Sequence, residues 1–303
     1  MWRMPRLRIG LQLNTTQRAF RWSEIRELAQ VAESSGLDAL WTEDHLFYDA
    51  PDGTVGPWEA WTILAGLADA TSRVRIGSLV TPLGLRSPTV LAKQAVTVDE
   101  ISGGRLVLGI GLGWNEAEFR GAGVPTTERI GRFEEAFAVL RSALDDGAAS
   151  ATGRHLSVTG FQMTPRPVVR RRPELLVGSI GPRVLRATLP YVEGWNWDGF
   201  RNDPARFSER SAQVTAACHE VGRDPAMVER SAHLVVRLED AVGLPIDPLP
   251  PDFPIITGSP REVADSLSAF AHAGASEVQL IVDPLTPRSI ETLARTADYL
   301  DHG

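Results

Sequence analysis

The chain alternates short apolar runs of strand length with stretches whose apolar residues recur at helical spacing. Most of the runs are rich in β-branched residues, which is typical of parallel strands that are covered on both faces. Helical patterns such as 23–36, 57–71, 88–104 and 261–275 lie between them. The runs predicted to be strands are 7–13, 37–43, 74–80, 105–113, 174–180, 194–200, 233–238 and 277–283. Eight strands separated by helices favour an α/β fold with a closed (β/α)8 TIM barrel over an open, doubly wound sheet.

Two stretches, 147–173 and 239–256, interrupt this alternation of strands and helices. The first is rich in glycine and proline, and the second contains AVGLPIDPLPPDFP. Strand and helix patterns resume after each stretch, which is typical of loop insertions and not of linkers between domains. We therefore expect a single domain over residues 1–303, with insertions around these two stretches.

The composition, with 43% hydrophobic and 23% charged residues, is that of a globular protein with an ample core. The net charge of −7 and the dispersed basic residues argue against a nucleic-acid surface. Apolar runs are far shorter than the roughly 18 residues that span a bilayer, and no signal-like segment follows the amino terminus. Cys218 is the only cysteine, which excludes intramolecular disulfides. We expect a cytoplasmic protein that binds neither nucleic acid nor membrane.

The segment SGGRLVLGIGLGWNEAE, residues 102–118, contains three glycines at alternate positions of a predicted strand. A dinucleotide-binding loop requires G-x-G-x-x-G, and the spacing here is G-x-G-x-G, so that motif is absent. Lys93 is the only lysine and is followed by glutamine, which excludes a phosphate-binding Walker loop. Two interpretations stay open: a strand whose small residues serve packing, or a strand that ends in an active site.

Polar or small residues also follow other predicted strands, at the end where barrel enzymes place their chemistry. These segments are 42–45 after the second strand and 78–82 after the third. After the fifth strand, residues 178–183 precede a helical pattern, and small residues there leave backbone N–H groups available to a phosphate. A tight turn without a ligand is the alternative for that segment.

At these segments the chain resembles the bacterial luciferase-like monooxygenase family, and within it the actinobacterial oxidoreductases that use the deazaflavin coenzyme F420. The resemblance is carried by LWTEDHLF, by PWEAWTILAGLADATSRVRIGSLVTP and by SPTVLAKQAVTVDEISGGRLVLGIGLGWNEAEFRGAGVP. Later segments, including ELLVGSIGPRVLRATLPYVEGWNW and ITGSPREVADSLSAFAHAGASEVQL, continue it over most of the chain. It implies a (β/α)8 barrel with a flavin-like ring lying over the strand ends.

The resemblance also implies which residues hold the coenzyme. In the family, a cis peptide bond without proline supports the ring, and it aligns here with Ser78–Leu79. Gly178, Ser179 and Gly181 match the turn that holds the coenzyme phosphate. The coenzyme contacts implied by the resemblance are Ser78, Leu79, Thr81, Gly113, Trp114, Gly178, Ser179 and Gly181.

His45 matches the histidine that faces the ring in many family members. An imidazole with a pKa of about 6.5 suits proton transfer at neutral pH, and Asp44 or Glu43 is expected to orient it. A histidine that only caps the loop is the alternative. Asn14 and Trp195, near strand ends, are candidates for substrate contacts. The other histidines lack metal-ligand spacing, so no metal site is predicted.

These features favour an oxidoreductase that transfers a hydride between F420 and a small organic substrate, with His45 and Asp44 as catalytic residues. One alternative is a monooxygenase that uses flavin mononucleotide (FMN), O2 and a flavin reductase partner. A second is a barrel that binds a flavin without turnover. The expected partners are a small-molecule substrate and a second copy of the chain, since the helical segment WTILAGLA has an apolar face. Arg170, Arg171 and Arg172 are candidates to meet an anion.

Overall fold

A computed structural model describes residues 6–13, 20–50, 53–198, 202–239, 243 and 253–302. Parallel strands close into an eight-stranded barrel, because the fourth strand pairs with both the third and the fifth. The barrel strands are β1 Arg8–Gln12, β2 Ala39–Thr42, β3 Arg75–Ser78, β4 Leu106–Gly111, β5 Glu174–Val177, β6 Gly194–Asp198, β7 Glu229–Leu238 and β8 Glu277–Val282. The predicted (β/α)8 TIM barrel is confirmed. That the whole chain forms one domain stays a prediction.

Nine α-helices surround the barrel within the residues that the structure describes. They are α1 Trp22–Ser34, α2 Ala60–Ala70, α3 Pro88–Ser102, α4 Glu116–Gly121, α5 Arg129–Asp145, α6 Pro182–Thr188, α7 Pro204–Glu220, α8 Pro260–His272 and α9 Pro287–His302. Ser259 and Glu262 form a reciprocal capping box at the start of α8. Gly103 ends α3 with a φ of 67°, in the left-handed region that favours glycine. None of these described helices is both long and apolar enough to cross a membrane.

Side chains alternate between the two faces of each strand, and the outward-facing ones form the main core with the helices. On β2, for example, Leu40 is fully buried in this outer core, whereas Trp41 belongs to a separate cluster inside the barrel. Ile9 and Leu11 on β1 face outward in the same way. The strands are therefore buried on both faces, which explains why most of them read as apolar runs.

Trp41 fills the barrel interior, and two glycines make room for its ring. A Cβ atom on Gly10 would lie 2.5 Å from Nε1 of Trp41, and one on Gly77 would lie 2.5 Å from its Cζ3. The indole Nε1 donates a hydrogen bond of 2.8 Å to Oε1 of Glu277. The indole N–H is thus satisfied in the interior, as buried tryptophans require.

Charged residues close the amino-terminal end of the barrel. Arg8 and Arg75 each place a guanidinium nitrogen 3.2 Å from Oε2 of the buried Glu277. Burial raises the pKa of Glu277, although the charges of the two arginines oppose the rise. Arg75 also pairs with Glu174, and Arg8 with Glu229. Barrel enzymes reserve this end for stability, and its ion pairs here join five of the strands.

The insertion at 147–173 begins and ends at this same end of the barrel, and its turn at 153–156 reaches back to Glu135 in the first half of α5. It forms an antiparallel hairpin of Ala148–Thr152 and Ser157–Gln162 between α5 and β5, and a connection from helix to strand returns to the amino-terminal end. The prediction that its arginines meet an anionic ligand is wrong. Arg170 lies 2.8 Å from Asp99, and Arg172 lies 2.8 Å from both Asp145 and Glu193; Arg171 lies 3.8 Å from Asp145.

The second stretch, 239–256, follows β7 and therefore lies on the carboxyl side of the barrel. Most of it, residues 240–242 and 244–252, is outside the described residues. Its end forms the short strand Ile256–Gly258, which pairs with the last residues of β7. The chain thus returns to the barrel before α8 begins.

Gly10→Ala is expected to lower the free energy of unfolding by about 1–3 kcal/mol, because the added methyl group overlaps the indole of Trp41. In a Trp41→Phe background the same change should cost less, since the smaller ring lacks the pyrrole atoms that Gly10 faces. Urea unfolding of the four proteins measures both costs. An equal cost in the two backgrounds would contradict the packing of Trp41 against Gly10.

Candidate active site

A cleft opens at the carboxyl ends of the strands and consists of two adjoining cavities. The smaller cavity, of about 250 Å³, lies among the segments that follow β2, β3 and β4 and faces β6 and β7. The larger, of about 450 Å³, extends along residues 178–184. The residues that line both cavities are Leu112, Gly178, Asn196 and Asp198. The two spaces therefore form one cleft that suits an elongated ligand.

His45 lines the smaller cavity and is held by the buried carboxylate of Glu118. Its Nδ1 lies 2.9 Å from Oε2 and 3.1 Å from Oε1 of Glu118. The same carboxylate accepts the backbone N–H groups of Leu46 and Phe47. Asn115, which caps α4, donates a hydrogen bond of 2.9 Å to the carbonyl of Phe47. The segment after β2 is thereby fixed to the helix that follows β4.

The contact with Glu118 changes the protonation of both partners. Burial acts to lower the pKa of His45, but the hydrogen bonds and charge of Glu118 outweigh it and raise the pKa above its usual value. Burial likewise acts to raise the pKa of Glu118, yet His45 and the backbone N–H groups lower it. Glu118 is therefore an ionised acceptor for the Nδ1–H of His45. The imidazole Nε2 is left for proton exchange.

Asp44 and Glu43 do not orient His45, which corrects the sequence-based expectation. Asp44 is buried and forms a bidentate pair with Arg86, at 2.6 Å and 2.9 Å. Oε2 of Glu43 instead accepts a hydrogen bond of 2.6 Å from the hydroxyl of Tyr48. Successive side chains of an extended segment point to opposite sides. Neither Asp44 nor Glu43 therefore reaches the imidazole of His45. Asp44 is therefore placed as a structural partner of Arg86.

Two aromatic rings flank His45 at the mouth of the cavity. The ring centroids of Tyr48 and Trp114 lie 4.6 Å and 5.5 Å from that of His45. Trp114 is 64% exposed, so it presents a broad apolar face to the cleft. Burial, together with the charge of Glu43, raises the pKa of Tyr48 and keeps its hydroxyl protonated. These rings suit a flat ligand.

The cis peptide bond lies between Leu79 and Val80, one residue beyond the predicted Ser78–Leu79 position. The hydrogen bonds of β3 continue up to that point, since the Leu79 N–H donates to the carbonyl of Thr42 at 2.8 Å. The hydroxyl of Ser78 donates to the carbonyl of Gly109 at 2.9 Å. Ser78 therefore keeps its place in the barrel wall, and the chain departs from the strand only after Leu79.

Of the coenzyme contacts expected in the first four strands, three line the cleft. Leu79, Gly113 and Trp114 all border the smaller cavity. The side chains of Ser78 and Thr81 are fully buried, and the Thr81 hydroxyl accepts a hydrogen bond of 3.2 Å from the indole of Trp61. Both are predictions that the structure corrects, because these hydroxyls serve the barrel wall and its contact with α2.

The turn at residues 178–181 borders the larger cavity, as its proposed role requires. The Gly178 N–H completes the barrel ladder with the carbonyl of Ile110 at 2.9 Å, and the Gly181 N–H donates to Oγ of Ser179 at 3.2 Å. The backbone N–H groups of Ser179 and Ile180 have no partner among the described residues. Two of the four backbone N–H groups in this turn, those of Ser179 and Ile180, are thus available to a phosphate.

Trp195 does not contact the cleft, and the prediction of a substrate contact there is wrong. It is fully buried, its ring lies 6.1 Å from that of Phe207 in the outer core, and its indole donates to the carbonyl of Ser179 at 2.8 Å. The alternation of side chains along β6 turns Asn196 and Asp198 toward the cleft instead. Asn14, the other substrate candidate, lies outside the described residues.

His233, which was not among the site residues predicted from the sequence, also lines the smaller cavity. Its Nδ1 lies 3.3 Å from Oδ1 of Asp198 on the neighbouring strand. Counting alternate positions along β7 from the outward-facing Leu234 would have placed it inside the barrel. No group of three or more potential metal ligands occurs among the described residues.

The family assignment rests on comparison with known proteins. Residues 6–241 match the model of the luciferase-like monooxygenase family. The chain therefore belongs to that family, whose members are oxidoreductases.

Individual relatives differ in the reactions that their names state. A phthiodiolone/phenolphthiodiolone dimycocerosates ketoreductase of Mycobacterium tuberculosis is 27% identical, over 92% of this chain and 84% of its own length. An FMNH2-dependent dimethylsulfone monooxygenase of Pseudomonas putida is 28% identical, over 72% of this chain and 61% of its own length.

Solved structures share the fold. An F420-dependent secondary alcohol dehydrogenase in complex with an F420–acetone adduct has a TM-score of 0.83 at 18% identity, covering 97% of this chain and 99% of that one. An FMN-bound type II Baeyer–Villiger monooxygenase, the oxygenating constituent of 3,6-diketocamphane monooxygenase of Pseudomonas putida, has a TM-score of 0.76 at 16% identity, covering 97% and 98%. At these identities the likeness supports the barrel and does not select a coenzyme.

Glu118→Gln is expected to lower the pKa of His45, because the amide keeps the shape of the carboxylate but removes the charge that favours imidazolium. An NMR titration of the imidazole carbon-bound protons measures the change. Glu116→Gln, an exposed position of the same helix, is the matched control and should leave the titration of His45 unchanged. An unaltered pKa in Glu118→Gln would show that the pair does not control the imidazole.

The same contact makes stability depend on pH. Because the folded-state pKa of His45 is raised, its contribution is fully present below the unfolded value of about 6.5 and is lost as the pH rises through the folded value. Urea unfolding above about pH 6.5 should therefore show a weaker loss of stability with rising pH in Glu118→Gln than in the unmodified protein. Equal slopes would contradict the linkage.

Proposed function

We propose that the protein transfers a hydride between coenzyme F420 and a small organic substrate, with a ketone or secondary alcohol as the reacting group. The observation that carries this proposal is the His45–Glu118 pair on the wall of a cavity that continues into the groove of the 178–181 turn. The relatives that reduce ketones or bind an F420–acetone adduct support the same chemistry. The cleft is large enough for a tricyclic ring with a phosphorylated chain.

The cleft residues fit such a coenzyme. Leu79, Val80 and Pro82 give the smaller cavity an apolar surface, and Trp114 adds an aromatic one. Glycines keep the strand ends clear of side chains: a Cβ at Gly111 would lie 2.6 Å from a methyl group of Val80. At the far end of the cleft, the N–H groups of Ser179 and Ile180 would hold the phosphate. These residues suit a flat ring at one end and an anion at the other.

His45 would exchange the proton that accompanies the hydride. When bound, F420 supplies a hydride donor or acceptor that does not react readily with O2. In the reducing direction, Nε2 of a protonated His45 donates to the substrate oxygen as the carbonyl becomes an alcohol, and in the oxidising direction it takes that proton back. Glu118 keeps Nδ1 protonated in both directions and stabilises the imidazolium. The aromatic rings of Tyr48 and Trp114 restrict water at this point.

A second candidate function keeps the cleft and replaces the coenzyme by FMN. The relationship to the dimethylsulfone monooxygenase and the FMN-bound Baeyer–Villiger structure favours it, and it would require a flavin reductase partner. A third, binding of a flavin without turnover, predicts affinity without activity. The three candidate functions use the same position of His45. They differ in the coenzyme that binds and in whether it is turned over.

The cleft and an apolar surface groove indicate the other expected partners. A small molecule is the substrate, in keeping with the size of the cleft. A second copy of the chain would cover the apolar groove of about 660 Å³ between α2 and α3, where Val90 is 57% exposed. We place this protein in the cytoplasm, in accord with its single cysteine.

Fluorescence titration of the purified protein with F420, and separately with FMN, tests the coenzyme. We expect micromolar affinity for F420 and at least tenfold weaker binding of FMN, a difference of about 1.4 kcal/mol. Preference for FMN would transfer the protein to the monooxygenases. Failure of both to bind would contradict the assignment of the 178–181 turn.

His45→Gln is expected to lower kcat for F420-dependent ketone reduction by about 10²–10⁴-fold, because the amide cannot donate the proton. Its affinity for F420 should stay within about threefold, since it is the proton transfer and not the binding that is removed. His219→Gln, an exposed histidine at the end of α7, serves as control. Full activity in His45→Gln would remove it from the reaction.

A further inference from the structure

Among the described residues, Asp198 is the one carboxylate that lines the smaller cavity. Asp198, at the end of β6, borders both cavities of the cleft, and its side chain is 52% exposed. Only Oδ1 has a hydrogen-bond partner among the described residues, Nδ1 of His233 at 3.3 Å. Its second oxygen is therefore available to a ligand. A carboxylate in this position attracts hydrogen-bond donors and repels anions.

The barrel places Asp198 opposite His45. The ring of strands runs from β2 through β3, β4 and β5 to β6, and from β2 through β1, β8 and β7 to β6, so four steps separate the two strands either way. His45 follows β2 and Asp198 ends β6, and both line the same cavity. A substrate whose reacting oxygen meets His45 therefore extends its other end toward Asp198.

No arginine or lysine of the described residues lines the smaller cavity to balance this charge. The nearest arginine beside His45, Arg86, is committed to Asp44. On β7, Arg237 is paired with Asp283. Glu118 is paired with His45, and Glu43 lies buried against Tyr48. An anionic group entering the cavity thus meets the carboxylate of Asp198, and among the described lining residues only the imidazoles of His45 and His233 are potential cations.

We propose that Asp198 is a specificity-determining residue that selects uncharged substrates with a hydrogen-bond donor remote from the reacting carbonyl, and that excludes carboxylates. This inference rests on the proposed hydride transfer, and it names the substrate class of that same cleft. The carboxylate accepts the remote O–H or N–H group of the substrate while His45 serves the carbonyl oxygen. His233 acts through Asp198, as a positioning residue that fixes its Oδ1.

Three methyl ketones of nearly equal size test the proposal. Levulinamide is uncharged and has an amide donor, methyl levulinate is uncharged without a donor, and levulinate carries a carboxylate. The loaded protein is assayed with reduced F420 at about pH 7, where the carboxyl group of levulinate is ionised. We expect kcat/KM to be at least tenfold higher for levulinamide than for levulinate, with methyl levulinate between them.

Asp198→Asn separates charge from shape. It should raise kcat/KM for levulinate about tenfold, so that the preference for levulinamide over levulinate is lost. Asp146→Asn, the same change at the exposed carboxyl end of α5, is the control and should preserve the preference. Thermal unfolding confirms that both variants are folded.

The proposal is overturned if levulinate is used as well as levulinamide, or if Asp198→Asn keeps the ratio. Equal use of levulinamide and methyl levulinate would contradict the proposed recognition of a hydrogen-bond donor by Asp198. If no ketone is turned over, the proposed function fails by itself. Saturation-transfer NMR of levulinamide and levulinate, on protein loaded with whichever coenzyme binds, then tests whether Asp198 selects between the two ligands. Transfer to levulinamide alone in the unmodified protein, with transfer to levulinate appearing in Asp198→Asn, supports it, and any other pattern contradicts it.

Discussion

The carboxylate of Glu118 is the group on which the arrangement of the cleft depends. It receives an imidazole N–H and two backbone N–H groups from the segment after β2, although it belongs to the short helix after β4. Hydrogen bonds to a charged group are worth about 1.5–3 kcal/mol each, and a buried carboxylate without them would be strongly unfavourable. One interaction therefore joins two loops, sets the tautomer of His45 and keeps it at the cavity wall.

The alternation of side chains along the strands decides which residues reach this cleft. Outward positions such as Trp195 join the core with the helices, while Asp198 and His233 turn toward the cavity. A shift of one residue exchanges these roles, because the period of a strand is two. The same rule places Trp41 in the interior, where glycines on the neighbouring strands leave space for it. Substrate contacts thus come from positions that look unremarkable in the sequence.

This rule also explains how far the sequence alone leads. The eight strands could be predicted because each is buried on both faces and reads as a continuous apolar run. His45 could be selected from its resemblance to a family motif. Its partner Glu118 lies 73 residues away and is brought near only by the closed barrel, so the neighbouring Asp44 was a natural but wrong choice. The hairpin within 147–173, which packs against α5, could not be predicted because composition does not tell which end of a barrel a loop occupies.

The charged residues at the two ends of the barrel have different roles. Glu277, Arg8 and Arg75 form a network at the amino-terminal end, where the charges are paired and Glu277 is buried. At the carboxyl end, Asp198 has one hydrogen bond and faces an open cavity. Paired charge contributes to stability, whereas the available oxygen of Asp198 is free to meet a ligand. This contrast favours a site that discriminates among substrates by charge.

The transfer of deuterium from F420 reduced with the isotope at C5 tests the central claim most directly. The protein is incubated with this coenzyme and a methyl ketone without O2, and the alcohol is analysed by mass spectrometry and NMR. Hydride transfer predicts one deuterium on the carbinol carbon for each coenzyme oxidised, and none acquired from labelled solvent at that carbon. An unlabelled alcohol, or a product that forms only with O2, would contradict it.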